Sequence, residues 1–151
     1  MIALIQRVSD ASVTIDGRTV GAIGPGLLVL LGVHRTDTAA EADWLAKKTA
    51  ALRIFRDDDG RMNRSLVDVA GDALVVSQFT LYGEVKKGTR PSFVQSAPPE
   101  VAEPLYEHYV RRLEGHLGRP VPTGVFGAMM DVRLTNDGPV TLHLERLAPA
   151  E

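Results

Sequence analysis

Two hydroxyls and an amide follow one another closely in Ser77-Gln78-Phe79-Thr80-Leu81-Tyr82-Gly83, directly after the apolar run Ala73-Leu74-Val75-Val76. That run is short and rich in β-branched residues, and it reads as a buried strand. A core strand that ends in small polar side chains can orient a polar substrate at its tip. The following residues, Glu84-Val85-Lys86-Lys87-Gly88-Thr89-Arg90-Pro91, form a basic loop, so charge favours an anionic substrate. The plainer alternative is a strand end whose hydroxyls cap nearby backbone groups, beside a solvated loop. A second stretch, Asn136-Asp137-Gly138-Pro139-Val140-Thr141, places a glycine before a proline. Glycine reaches backbone angles closed to other residues, and a cis Gly-Pro bond would aim two successive carbonyl oxygens roughly the same way. Gly24-Pro25 repeats the dipeptide with no such company, so the dipeptide alone carries little.

Other chemistries find no support. There is no cysteine, which removes thiolate nucleophiles, disulfides and Cys-ligated zinc and fits a reducing, cytoplasmic location. His108 and His116 share a helix but stand two turns apart, and His34 and His143 sit alone near strands. No H-E-x-x-H, nucleophile elbow or phosphate-binding glycine loop is present. Asp57-Asp58-Asp59-Gly60 lacks the closing glutamate and flanking helices of a calcium loop, and reads as a solvated turn. No metal and no cofactor are expected. No His or Lys stands in the Ser77–Leu81 motif to act as a base, so an enzyme here would work through backbone groups and positioned water. A net charge of -2 argues against coating long nucleic acid, while a local basic patch stays open. Met1–Ile5 has no basic segment before it and is not a signal peptide, and Gly26–Gly32 is too short to span a bilayer, so no membrane partner is expected.

The elements that must position these residues are read in order. Residues 1–8 read as a strand. Ser12–Ile15 and Thr19–Ile23 flank Asp16-Gly17-Arg18 and predict a hairpin. Leu27–Leu31 is apolar throughout and predicts a central strand. Thr38 and Glu41 form a capping box for a helix from about Ala39 to Leu52. Arg53-Ile54-Phe55 reads as a short strand, and Asn63–Val69 is ambiguous. Ser96 caps a second helix with Pro98 and Pro99 in its first turn. Val101, Leu105, Tyr109, Leu113 and Leu117 form its apolar stripe, and Gly118 and Pro120 end it. Two strands close the chain, near Ala128–Thr135 and Val140–Leu147, joined by Asn136–Pro139. With no repeat or linker, residues 1–151 read as a single domain.

Taken together, Ser77-Gln78-Phe79-Thr80-Leu81, Lys87-Gly88-Thr89-Arg90-Pro91-Ser92-Phe93, Gly124-Val125-Phe126-Gly127-Ala128 and Asn136-Asp137-Gly138-Pro139-Val140-Thr141 resemble the D-aminoacyl-tRNA deacylase family. The likeness extends to Gln6-Arg7-Val8 and to Gly26–Val33, and covers essentially the whole chain. Met129-Met130 departs from the family pattern, in which an acidic or polar residue often stands first.

The resemblance implies an α/β fold with a mixed, twisted, partly barrel-like sheet and two main helices. It also implies a homodimer that hydrolyses the ester linking a D-amino acid to the terminal adenosine of tRNA. Gly138-Pro139 would be cis and would enter the active site of the other subunit, its carbonyls holding the substrate's amino group. An L side chain would then meet the wall, while glycine would be accepted. Backbone N–H groups of Gln78, Phe79 and Thr80 would face the oxyanion, with Ser77 beside them and Thr80 positioning rather than attacking. Phe126 would pack on the terminal adenine, with Met130 also at the substrate, unless Phe126 is simply a core residue. Arg7 would hold the incoming Gly-Pro loop, unless it forms only a surface salt bridge. Lys86, Lys87 and Arg90 would meet acceptor-stem phosphates. The alternatives are a related deacylase for glycyl- or L-aminoacyl-tRNA, and a non-catalytic dimeric module that binds nucleic acid or nucleotide.

Overall fold

The structure, a computed structural model, describes residues 1–150. Strand β1 (Ile2–Ile15) turns through Asp16-Gly17 into β2 (Arg18–Ile23), and β3 (Gly26–Gly32) follows. Asp16 and Gly17 both take positive φ, 48° and 77°, as the expected two-residue hairpin requires. The segments 1–8 and 12–15 are one continuous strand, not two. β1 runs unbroken because different strands share one of its edges: β3 pairs with Ile2–Val8, and β2 with Ala11–Ile15.

Helix α1 (Ala39–Ala51) begins at Thr38 with the complete capping box. The next strand is shifted from its expected place. β4 is Phe55–Arg56, paired with β5 (Met62–Arg64), because the Asp57 carboxylate accepts from the N–H groups of Asp59 and Arg61 and closes a tight turn. β6 (Asp72–Ser77) lies parallel to β3, and β3 is almost wholly buried between β1 and β6, as its composition predicts.

Helix α2 (Pro99–Leu117) is capped by Pro98 with no side-chain bond, so Ser96 is not its cap; Gly118 ends it at φ 72°. Its buried face is also rotated from the expected stripe. Ala102, Tyr106, Tyr109, Val110 and Leu113 are buried, while Val101, Leu105 and Leu117 are only partly so. The tyrosine tips explain this. Tyr106 donates to the Val75 carbonyl at 3.2 Å. Thr49 donates to the Leu45 carbonyl at 2.8 Å, so the Tyr109 hydroxyl donates to Thr49, also at 2.8 Å. Burial pushes the Tyr109 phenol up, which keeps it a donor.

The last strand corrects a further expectation. β7 (Asp131–Glu145) is one strand along the whole free edge of β1, with Ala128–Met130 outside it. Val8 faces Asn136 and Gln6 faces Thr141, so two steps on β1 meet five on β7. Residues 137–140 bulge out of the strand, and Asn136 spans the bulge by donating to the carbonyls of Arg7 and Val140, both at 3.0 Å. The helices cover one face of the sheet. On the other face Val8, Ala11, Val13, Ile23, Leu28, Leu74 and Val76 form a second core. The sheet curls around that second core until β2 approaches β6, with Gly21 close to Leu74.

Candidate active site

Strand β6 ends at Ser77 because the backbone changes partner there. The Gln78 N–H donates to the Leu31 carbonyl at 2.8 Å, and a short 3-10 helix, Phe79–Tyr82, begins. The Leu81 N–H returns to the Gln78 carbonyl and the Gly83 N–H to the Thr80 carbonyl, at 3.2 and 2.9 Å. This leaves the N–H groups of Phe79 and Thr80 without a protein acceptor among the described residues, as the first donors of a helix are. Gln78 is therefore not a third free donor, since its N–H is taken up by the sheet. Its side chain instead donates to the Thr80 hydroxyl. No base touches Thr80 among the described residues, and the residue is exposed.

Ser77, Gln78 and Phe79 line a largely apolar cavity of about 640 Å³, and Phe126, Met129 and Met130 line it from the connection into β7. Phe126 leans on Tyr106 with ring centroids 5.9 Å apart. Phe79 meets Phe93 edge to face at 5.0 Å and is 54% exposed, so the cavity mouth carries an apolar ring open to solvent. The basic loop adjoins it. Glu84 and Ser92 exchange backbone bonds of 2.7 and 2.9 Å, which closes the loop and presents Lys86, Lys87 and Arg90 outward. Among the described residues none of the three is in an ion pair.

Gly138-Pro139 is a cis bond at the crest of the β7 bulge, both residues exposed. Arg7 is 3% exposed, and its ion pair with the Asp137 carboxylate, at 3.3 Å, is buried on the arginine side. Its guanidinium donates to the Ile54 carbonyl at 2.7 Å and to the Asp137 carbonyl at 3.1 Å. It secures the bulge of its own chain. Arg56 adds two bonds of 3.1 Å to the Asp137 carboxylate. Those bonds hold the Asp137 carboxyl below its usual range, so it stays ionised.

The two halves of the expected site are not together in one chain. Arg7 pairs with Leu27 and Ser77 with Leu31, and β7 reaches β6 only across β1 and β3. Four residues along a strand and three strand spacings place the Gly-Pro bulge about 20 Å from Ser77. Ser96, expected as a helix cap, instead donates its hydroxyl to the Phe79 carbonyl at 2.9 Å, and Arg56, which nothing in the sequence marks, reaches Asp137. Asn136 and Asp137, which belong to the second motif, act here as the ties that hold the bulge. No group of three or more metal-ligating side chains occurs among the described residues. His34 bonds Thr36 and Gln95, and His108 bonds Asp43, so these rings have local partners.

A family model described as D-Tyr-tRNA(Tyr) deacylase matches residues 4–145. A D-aminoacyl-tRNA deacylase of Salinibacter ruber is 66% identical over 148 residues, 98% of this chain and 99% of that protein. One from Opitutus terrae is 62% identical over 145 residues, 96% of this chain and 97% of that protein. Among solved structures, a c-Myc DNA unwinding element binding protein superposes with a TM-score of 0.92 at 42% identity, covering 98% of this chain and 100% of that one.

Proposed function

We propose a mechanism from one premise: the chain belongs to the D-Tyr-tRNA(Tyr) deacylase family. It hydrolyses the ester of D-aminoacyl-tRNA, releasing the D-amino acid and tRNA. The observation that carries the site reading is the pair of free N–H groups at Phe79 and Thr80, beside a cavity walled by Phe126 and Met130.

The terminal adenine enters the cavity and packs on Phe126, and the ester carbonyl lies over the two N–H groups. Water attacks the carbonyl carbon, and the N–H groups take the negative charge as it moves onto oxygen. The intermediate then collapses, the carbon–oxygen bond to ribose breaks, and the ribose oxygen leaves with the proton that the attacking water gives up. The neighbouring ribose hydroxyl positions the water, a task no side chain here performs. Ser77 and the Gln78–Thr80 side-chain pair hold the strand tip in shape.

Gly138-Pro139 of the partner subunit completes the site in a homodimer. The gap of about 20 Å within one chain supports this. The carbonyls of that loop hold the amino group common to all substrates, so an L side chain meets the wall and a D side chain points to solvent. Glycyl-tRNA is hydrolysed as well, having no side chain to exclude. A single-turnover assay with matched D-, L- and glycyl-tRNA tests the whole reading. Rapid loss of the L ester, or an intact D ester, would sink it.

Thr80 orients and does not attack. Thr80→Ala is expected to stay within about tenfold of the native rate, whereas loss of a true nucleophile costs about 10⁴-fold or more. No acyl-enzyme should accumulate on rapid quenching, and a covalent ester on Thr80 detected by mass spectrometry would overturn the assignment.

Lys86, Lys87 and Arg90 lie along acceptor-stem phosphates. Reversing all three charges should weaken tRNA binding and lower the slope of log K against log salt by roughly 2 to 3, because each phosphate contact contributes about 0.7 to 0.9. Hydrolysis at saturating substrate should change by less than about twofold, since these contacts are made equally before and during reaction. An unchanged slope would mark the loop as a solvated turn.

A further inference from the structure

The peptide unit between Phe79 and Thr80 faces two ways. Its N–H belongs to Thr80 and is one of the two free donors. Its carbonyl belongs to Phe79 and accepts the Ser96 hydroxyl at 2.9 Å. In a planar trans peptide the C=O and N–H point in opposite directions and cannot turn independently. Holding the carbonyl therefore aims the N–H.

From this geometry we infer that Ser96 is a positioning residue for ester hydrolysis, its hydroxyl clamping the Phe79 carbonyl so that the Thr80 N–H points at the developing oxyanion. The inference rests on the assignment of that N–H to the oxyanion. Ser96 is well placed to act as a clamp because its own backbone is tied on both sides. Arg35 donates to the Gln95 carbonyl at 3.0 Å, Ala97 to the Val33 carbonyl at 2.9 Å, and the Ser96 N–H to the Phe93 carbonyl at 3.0 Å. The His34 ring bonds the Gln95 side chain at 2.9 Å and stands edge-on to Tyr82, the last residue of the 3-10 helix. The segment that follows β3 thus holds Ser96, while β3 itself holds Gln78 through Leu31. A hydroxyl bound to the carbonyl also polarises the peptide and strengthens its N–H as a donor.

Kinetics of Ser96→Ala and Ser96→Thr on D-tyrosyl-tRNA test this. Ser96→Ala is expected to lower kcat roughly tenfold, a fraction of the 10²–10³ lost when an oxyanion donor is removed outright. KM should stay within about twofold, because the contact matters only as charge develops. Ser96→Thr, which keeps the hydroxyl, should recover most of the rate. If Ser96→Ala fails to fold, Ser96→Cys replaces it, with similar volume and a weak donor. The same substitution is then made in an enzyme carrying the α-hydroxy analogue of threonine at position 80, which has an ester oxygen in place of the N–H. There Ser96→Ala should change little. Full kcat in Ser96→Ala, or an equal loss in both backgrounds, would overturn the positioning role alone. Full kcat in the position-80 analogue would overturn the oxyanion assignment and this inference with it.

Discussion

Gly138→Ala is expected to cost about a hundredfold or more in deacylation of every D-aminoacyl-tRNA, the scale set by roughly an ångström of misplacement at a reacting centre. Gly138 has φ +132°, in a region that L side chains rarely adopt. A Cβ there would stand 2.8 Å from Val140 Cγ2 and 3.0 Å from both Arg7 Nη2 and the Val140 nitrogen. Val140 and Arg7 are both buried, so neither can move aside freely. The crest of the bulge must shift instead, and its carbonyls shift with it. Since those carbonyls are proposed to hold the amino group that all substrates share, the loss should not depend on the D side chain. The strand pairing on either side of the bulge remains, so the protein should stay folded by circular dichroism. Full activity in Gly138→Ala would remove the bulge from the mechanism. Loss for one D-amino acid only would point to a side-chain pocket.

Arg7→Ala is expected to damage stability and activity together. The guanidinium joins three separate parts of the chain: β1, the Ile54 carbonyl before β4, and Asp137 in the bulge. Truncation leaves two carbonyls without their donor and a void where a 3% exposed side chain stood. Loss of charged hydrogen bonds of this kind costs about 3 kcal/mol. The figure is not larger because the Asp137 carboxylate keeps Arg56 and is itself partly exposed. Arg7→Lys should recover little, since one ammonium cannot serve both carbonyls in the fixed fork that a guanidinium provides. Thermal melts and single-turnover rates read the two effects. A variant with native melting and native rate would show that Arg56 and Asn136 suffice to hold the bulge.

Features that depend on a few neighbouring residues were legible in the sequence. The Thr38–Glu41 capping box, the Asp16-Gly17 hairpin, the wholly apolar β3 and the Gly118 stop are local in this sense, and each stands where its chemistry puts it. What was not legible arises between distant residues. The α2 face is rotated because Tyr106 and Tyr109 find buried partners on β6 and α1, and periodicity cannot know of either partner. The closing strands merge because both pair with β1, far earlier in the chain, and because Asn136 bridges the bulge. Arg56 reaches Asp137 across 81 residues, with nothing near either to announce it. In the motif itself, residue types marked Ser77–Thr80 as a polar strand end. They did not show that the Gln78 N–H is bound to Leu31, because a backbone bond leaves no mark on side-chain identity.

The placement of β1 between β3 and β7 bears on how the chain comes off the ribosome. β7 follows its partner β1 with both main helices and the other strands between them. Pairing across so large a separation carries a high loop-closure cost and belongs to the slow class of folding events. Until β7 arrives, one edge of β1 is an open row of backbone donors and acceptors, the kind of edge on which chains aggregate. The bulge that Arg7 grips is delivered by that same late strand. A nascent chain interrupted before β7 would therefore expose a sticky edge and lack the Gly-Pro crest as well.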